Sequence, residues 1–379
     1  MEISSSTLPA VAAERATMFV ALELSKSSWL VALHSPVADK VSMHRFVGGD
    51  VAGLLALIAR KQTQAEARLG RTIRVLSCYE AGYDGFWLHR LLCARGIDNR
   101  ILDAASILVD RRSRRAKTDR LDAAGLLRTL MALDRGESRV CGVVRVPSVA
   151  QEDARRRSRE RTRLVVERGQ HSNRIKGLLM TLGVRDFEPT RRDWQERLGG
   201  LRTADGRELP ACLKAEITRE CRRLHQVIVM IAEVEAEQAA ALDAEEGRAA
   251  QLIRLRGIGL VSATVLADEV FYRDFRNRRE VAGYLGLASS PWASGRVQRD
   301  QGISKSGNPR ARRTAIELAW LWLRHQPGSL LTQWFRQRVG TTRGRMRRIM
   351  LVALARKLIV ALWRYLSDGL VPDGAELRA

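Results

Sequence analysis

Phe19-Val20-Ala21-Leu22-Glu23-Leu24-Ser25-Lys26, then Trp29-Leu30-Val31-Ala32-Leu33, then a run ending at Phe46-Val47, decide the fold of the first third of the chain. These are short β-rich runs, and Gly48-Gly49-Asp50 breaks the pattern. Residues 51–68 carry apolar positions at helical spacing. Ile73 to Tyr79 reads as a buried strand, 83–95 as a helix with Gly96 at its C-cap, and Arg100-Ile101-Leu102 as a further short strand. A hairpin-like start followed by strand–helix alternation predicts an α/β domain with a mixed sheet.

Outward from that domain the pattern changes. From about 150 to 245 it is helical and charged, opening with Arg155-Arg156-Arg157. Leu224, Ile228, Ile231, Val234, Gln238 and Leu242 have roughly heptad spacing, and 183–210 hold the Pro and Gly of a connection, so a pair of long helices of coiled-coil type is expected. A second small globular region follows to about 340. The boundaries read as a loose tail at 1–17, an α/β domain at 18–150, a helical segment at 151–248, a mostly α domain at 249–340, and a basic amphipathic helix and tail at 341–379.

The chain has 379 residues, room for two or three domains, and a formal net charge of +23 from 65 Lys and Arg against 42 Asp and Glu. Solubility needs far less charge, so the excess points to a polyanionic partner. The five cysteines form no CxxC pair and no zinc-ligand spacing, which fits reduced thiols of a cytoplasmic protein. The Ser- and Ala-rich start lacks the pattern of a signal peptide, and Ile349–Leu366 is interrupted by Arg356, Lys357 and Arg364, so no membrane span is expected.

Four carboxylates stand out. Glu23 and Glu80 end two strands, and Asp119 and Asp122 share one face at the opening of a helix. Converging acids need cations, and hard oxygen ligands suit two magnesium ions. Spacing leaves the alternatives open: strand-end acids are usually solvated, and Asp119 and Asp122 also favour a helix N-terminus. Leu255-Arg-Gly257-Ile-Gly259-Leu looks like the turn of a helix-hairpin-helix, whose glycines let backbone N–H groups approach a phosphate; the plainer reading is a Gly turn between helices.

The series Glu23-Leu-Ser-Lys26, Tyr79-Glu80-Ala-Gly-Tyr83 and Lys117-Thr-Asp119-Arg-Leu-Asp122-Ala resembles, in order, the transposases of insertion-sequence family one-ten. So do Leu285-Gly286-Leu287, Ser294-Gly295 and Gly302-Ile-Ser304-Lys305-Ser-Gly307-Asn308, and the match spans roughly 20–365. The resemblance implies a RuvC-like, ribonuclease-H-type N-terminal domain. Its metal-binding DEDD tetrad would be Glu23, Glu80, Asp119 and Asp122, with Glu23 standing where Asp is typical. It implies that Ser294 is the nucleophile of a phosphoryl transfer that leaves a 5′- or 3′-phosphoserine link.

Lys117, Arg296, Arg299 and Lys305 are then candidate phosphate contacts, with shaping of the loop as the other role for Lys305. It implies Mg2+, donor and target DNA, a guide (bridge) RNA from the same element, a dimer or tetramer with composite active sites, and a bacterial, nucleoid-associated setting. The basic helices at 151–180 and after Arg343 are candidates for the nucleic-acid backbone. The competing readings are a Holliday-junction-type endonuclease and a catalytically inactive nucleic-acid-binding protein.

Overall fold

A computed structural model describes residues 16–107, 118–137, 139–244, 247–294 and 297–378, with the backbone alone for 243–244, 293–294 and 297–300. The chain separates into two compact units, Met1–Val146 and Pro147–Ala379.

In the first unit, β1 (Thr17–Leu24), β2 (Ser28–His34) and β3 (Ser42–Val47) form an antiparallel meander. Helix α1 (Val51–Leu69) leads to β4 (Arg74–Glu80), α2 (Trp87–Ala94) to β5 (Asp98–Leu102), and α3 (Asp119–Asp134) follows. The sheet order is β3-β2-β1-β4-β5, with β1, β4 and β5 parallel. The mixed sheet is therefore as the residues predict.

Alternation along the strands sorts side chains to two faces. Val20, Leu22, Val75 and Tyr79 face a core with Leu54, Leu57, Ile58, Leu88 and Leu92 of α1 and α2. Ala21, Ala32, Leu76 and Cys78 face α3, which answers with Ala123, Leu126, Leu127 and Leu130. The small residues on this second face let α3 lie close to the sheet. The helix expected over 83–95 starts only at Trp87, because Gly82 and Gly85 (φ +64) hold a turn before it. Helix α2 stops at Arg95, and Gly96, at φ +75, takes the left-handed position beyond the cap.

The second unit opens with α4 (Val149–Met180), started by a capping box between Ser148 and Gln151. After α5 (Trp194–Gly200), α6 (Ala211–Ala244) packs antiparallel to α4. Leu164 meets Val227, Ile231 and Val234, while Ile175 and Leu179 meet Ile217, Cys221 and Leu224 at the far end. The expected pair of long helices is present, with Leu224, Ile231, Val234 and Gln238 buried as the heptad pattern requires.

Helices α7 (Arg248–Ile253), α8 (Leu260–Glu269) and α9 (Arg278–Tyr284) precede a hairpin of β6 (Ser289–Ser294) and β7 (Val297–Ile303). Then come α10 (Pro309–His325), α11 (Leu330–Val339) and α12 (Arg345–Asp368). One core, centred on Leu266, Leu318, Trp322, Leu354 and Leu358, holds α7 to α12 together. No described helix is long and apolar enough to cross a membrane.

Candidate active site

The β1–β4 register pairs Leu22 with Tyr79, so Glu23 and Glu80 are each the next residue on neighbouring parallel strands. By the period of two they leave the sheet on the face of Ala21 and Cys78, the face α3 covers. On α3, Asp119 and Asp122 precede Ala123 and Leu126 by one turn, extending the buried stripe to the rim of the sheet. Thr118 caps this helix through the Leu121 N–H (3.3 Å), and the helix dipole favours both acids in its first turn.

A cavity of about 540 Å³ opens here, at the carboxyl ends of β1 and β4, where an α/β sheet with reversed strand order presents its ligand crevice. Glu23, Glu80 and Asp122 line it, with Lys26, Tyr83 and Asp84 on the wall. The fourth acid, Asp119, is exposed and does not line the cavity.

Among the described residues, no three His, Cys, Asp or Glu side chains stand close enough to grip a metal ion. The cavity acids are nonetheless hard oxygen donors, the set a magnesium ion takes, so the residues fit such an ion in kind.

Two features of the site are not apparent from sequence. The Tyr79 hydroxyl donates to the Gly85 carbonyl (3.0 Å) and accepts from the His89 N–H (3.3 Å), bracing the loop that follows Glu80. Burial pushes that phenol up to about 12. Beneath it, Ser77 donates to Asn99 (2.7 Å), and Asn99 meets His89 (3.0 Å). Burial, then the charge of Arg90, lowers the His89 pKa. Polar residues scattered through an apolar strand, a helix and the next strand give no spacing signal that they meet.

In the second unit, Ser294 ends β6 and pairs with Val297, the first residue of β7. The expected mostly α region thus contains a hairpin that its sequence does not announce, since Pro291 lies inside β6. Arg299 lies in β7, whose side chains here are outside the described residues, as are Arg296 and Lys117.

The glycines of the neighbouring motif have a steric reason. A Cβ on Gly286 would collide with the Ser306 carbonyl, and one on Gly307 with the Tyr284 carbonyl. Lys305, at φ 58, is held left-handed: its N–H donates to the Gly286 carbonyl (3.2 Å), and its carbonyl accepts from Arg312 (3.0 Å). Its side chain is exposed. Asn308 caps α10 and donates to the buried Glu269 (3.1 Å).

Glu269 also takes a two-pronged pair from Arg159 (2.7 and 3.1 Å). Arg155 lies over the Tyr272 ring at 4.0 Å and donates to the Asp268 carbonyl (2.9 Å). These two arginines of the basic 151–180 helix therefore tie α4 to α8, with Arg155 buried there and Arg159 paired at the surface.

Gly257, at φ +90, sits in a turn between α7 and α8, so the helix–turn–helix outline holds. A Cβ there would come within 2.8 Å of the His325 Cβ, so close packing against α10 also requires this glycine. Part of the turn's backbone is bonded internally: the Arg256 N–H donates to the Glu376 carbonyl (3.0 Å), and Gln326 donates to the Arg256 carbonyl (2.8 Å). Gly259 caps α8 with open space about its Cα.

Comparison with known proteins places these features in a family. Residues 249–334 match the model of the "Transposase IS116/IS110/IS902 family". A putative transposase of Sinorhizobium fredii is 49% identical over 382 residues, covering 97% of this chain and 96% of that protein. A probable family 20 transposase of Pseudomonas aeruginosa is 31% identical over 231 residues, 59% of this chain and 66% of that protein. The transposase for insertion sequence element IS1328 of Yersinia enterocolitica is 27% identical over 217 residues, 56% of this chain and 62% of that protein. The chain belongs to the IS116/IS110/IS902 family of transposases.

Proposed function

We propose that this transposase cuts and rejoins DNA by phosphoryl transfer, with Glu23, Glu80, Asp119 and Asp122 as a RuvC-like acidic set and Ser294 as nucleophile. One observation carries the reading: three of the four acids, far apart in sequence, line one cavity at the carboxyl ends of two parallel strands. The mixed sheet with α3 across that face supports the RuvC-like assignment.

Magnesium held by these carboxylates would neutralise charge on a scissile phosphate. The chain's own groups do the rest. Glu23, Glu80 and Asp122 would hold that cation at the sheet rim, and Asp119, exposed at the start of α3, completes the acidic set. The Ser294 hydroxyl loses its proton as its oxygen bonds to phosphorus, and the bond from phosphorus to the departing sugar oxygen breaks; that oxygen takes up a proton. Lys305, Arg299 and Arg296 brace the phosphate, and Lys117 contacts it from the acidic side. A second strand reverses the exchange.

The acids lie in the first unit and the serine in the second; in this reading one phosphate is met by both, from one chain or from two. We further propose that the chain acts as an oligomer with such composite sites, and that a non-coding RNA of its element guides it to donor and target DNA. The net charge of +23 supports a nucleic-acid partner of either kind.

The test is Asp122→Asn with magnesium and cognate DNA. Strand cleavage is expected to fall at least about a hundredfold, with DNA binding kept within about threefold. Cleavage at the native rate would remove Asp122 from the chemistry. Cleavage without any protein–DNA adduct would favour the resolving-endonuclease reading.

A further inference from the structure

The sequence places Arg356, Lys357 and Arg364 as interruptions in an otherwise apolar helix, and the acidic site makes no use of them. In the fold they stand on one face of α12 together with Ala353, Val360 and Ala361. The opposite face, with Leu351, Leu354, Leu358 and Leu362, is buried in the core. Helix α12 therefore presents its cations on the face turned away from that core.

This face is one wall of a groove of about 780 Å³, shared with α9, α11 and the segment 370–373. The floor is apolar: Leu330 and Leu370 are 53% and 58% exposed, and Trp334 is half-buried beside them. The rims are basic, with Arg278 and Arg279 from α9 facing the groove with Arg356, Lys357 and Arg364; Asp373 is the acid on its wall.

Some arginines of this unit are neutralised, as Arg159 is by Glu269, Arg161 by Glu235 and Arg174 by Glu216. Among the described residues, none of the five groove cations has a carboxylate within salt-bridge distance. The Lys357 ammonium lies 4.8 Å from the centroid of the Trp334 ring. It occupies the place a flat π-system would take, and its four-carbon stem lets it swing aside to a phosphate.

We infer that this groove binds a single strand of DNA, with bases on the Trp334–Leu330 floor and phosphates on the arginine rims. The floor selects the single strand. A duplex hides its base faces in the stack and would leave the apolar floor without a partner, whereas an unpaired strand offers both base faces and phosphates. The inference rests on the chain acting on DNA, and not on which acids or which serine carry the chemistry. A transposase that opens strands has such a segment to hold, and this groove would keep it from re-pairing.

The test uses the full-length protein with EDTA and no divalent ion, so that the acidic cavity takes no part. The probes are an oligothymidylate of about 15 nucleotides and a duplex of the same length. In the wild-type protein, acetylation of Lys357 is expected to slow at least about fivefold under saturating oligothymidylate and not under the duplex, with exposed Lys40 unchanged as reference.

The double variant Arg356→Glu/Lys357→Glu is expected to weaken the single strand about tenfold or more and the duplex less than about threefold. Equal Lys357 labelling with and without the oligothymidylate overturns the proposal, whatever the variant does. So does an equal loss for strand and duplex, which would make the patch a general phosphate surface. An oligouridylate that protects Lys357 while oligothymidylate does not would overturn it in favour of RNA.

Discussion

At the scale of single residues, Glu23 and Glu269 carry opposite kinds of load. Glu23 faces the cavity with Glu80 and Asp122, although it is one methylene longer than the Asp that the proposed DEDD set would place there. Glu23→Gln is expected to lower cleavage at least about a hundredfold, and Glu23→Asp to keep the rate within about tenfold of the native enzyme. A much larger gain for Glu23→Asp, read in single-turnover cleavage, would mark Glu23 as a partial defect.

Glu269 is structural. Burial alone pushes its carboxyl up, but the hydrogen bonds and charge of Arg159, with Asn308, outweigh burial and hold it below its ordinary 4.5. A depressed folded-state value means that this stability is present above about 4.5 and is lost as pH falls through the folded value. Glu269→Gln should therefore lower the melting temperature at neutral pH by several degrees and flatten the acid limb of the stability profile. An unchanged acid limb would show that another carboxylate governs it.

At the scale of elements, α3 carries Asp122 to the acidic cavity and the Gly257 turn seats α8 against α10. Leu126 is 3% exposed and pins α3 to the sheet beside Cys78, so Leu126→Ala should cost about 2–4 kcal/mol by denaturant unfolding and loosen Asp122 with it. Gly257→Ala combines a left-handed φ with an approach to His325 and should destabilise by about 1–3 kcal/mol.

Elements like these were legible where one physical signal dominated. The apolar runs around Val20, Val31 and Leu76 gave the strands, and the heptads from Leu224 gave the long helix. The β6–β7 hairpin was not legible, because Pro291 and the glycine- and serine-rich segment argue for loop, and cross-strand pairing has no local pattern. The cavity was half legible: strand ends put Glu23 and Glu80 on view, but only the register of β1 on β4 and the seat of α3 bring Asp122 to them. The pairing of Arg159 with Glu269 and the burial of Arg155 were hidden in a run of arginines whose spacing looks the same whether paired or free.

At the scale of the whole molecule, charge and division of labour matter most. A net +23 on 379 residues makes nucleic-acid binding steeply salt-dependent, on the order of a thousandfold loss between about 50 and 200 mM salt. A shallow slope in a binding titration would mean that most of the arginines are tied up internally, as Arg155 and Arg159 are. The acids belong to one unit and Ser294 to the other, so neither unit holds the full set of proposed groups.

The most direct measurement follows from that division. The full-length protein is incubated with magnesium, a transcript of the element's non-coding segment and end-labelled cognate DNA, then denatured and resolved on a gel. The expected result is a covalent protein–DNA adduct for the native chain and none for Ser294→Ala or Asp122→Asn. As much adduct from Ser294→Ala as from the native chain would contradict the joint use of the acidic cavity and the serine.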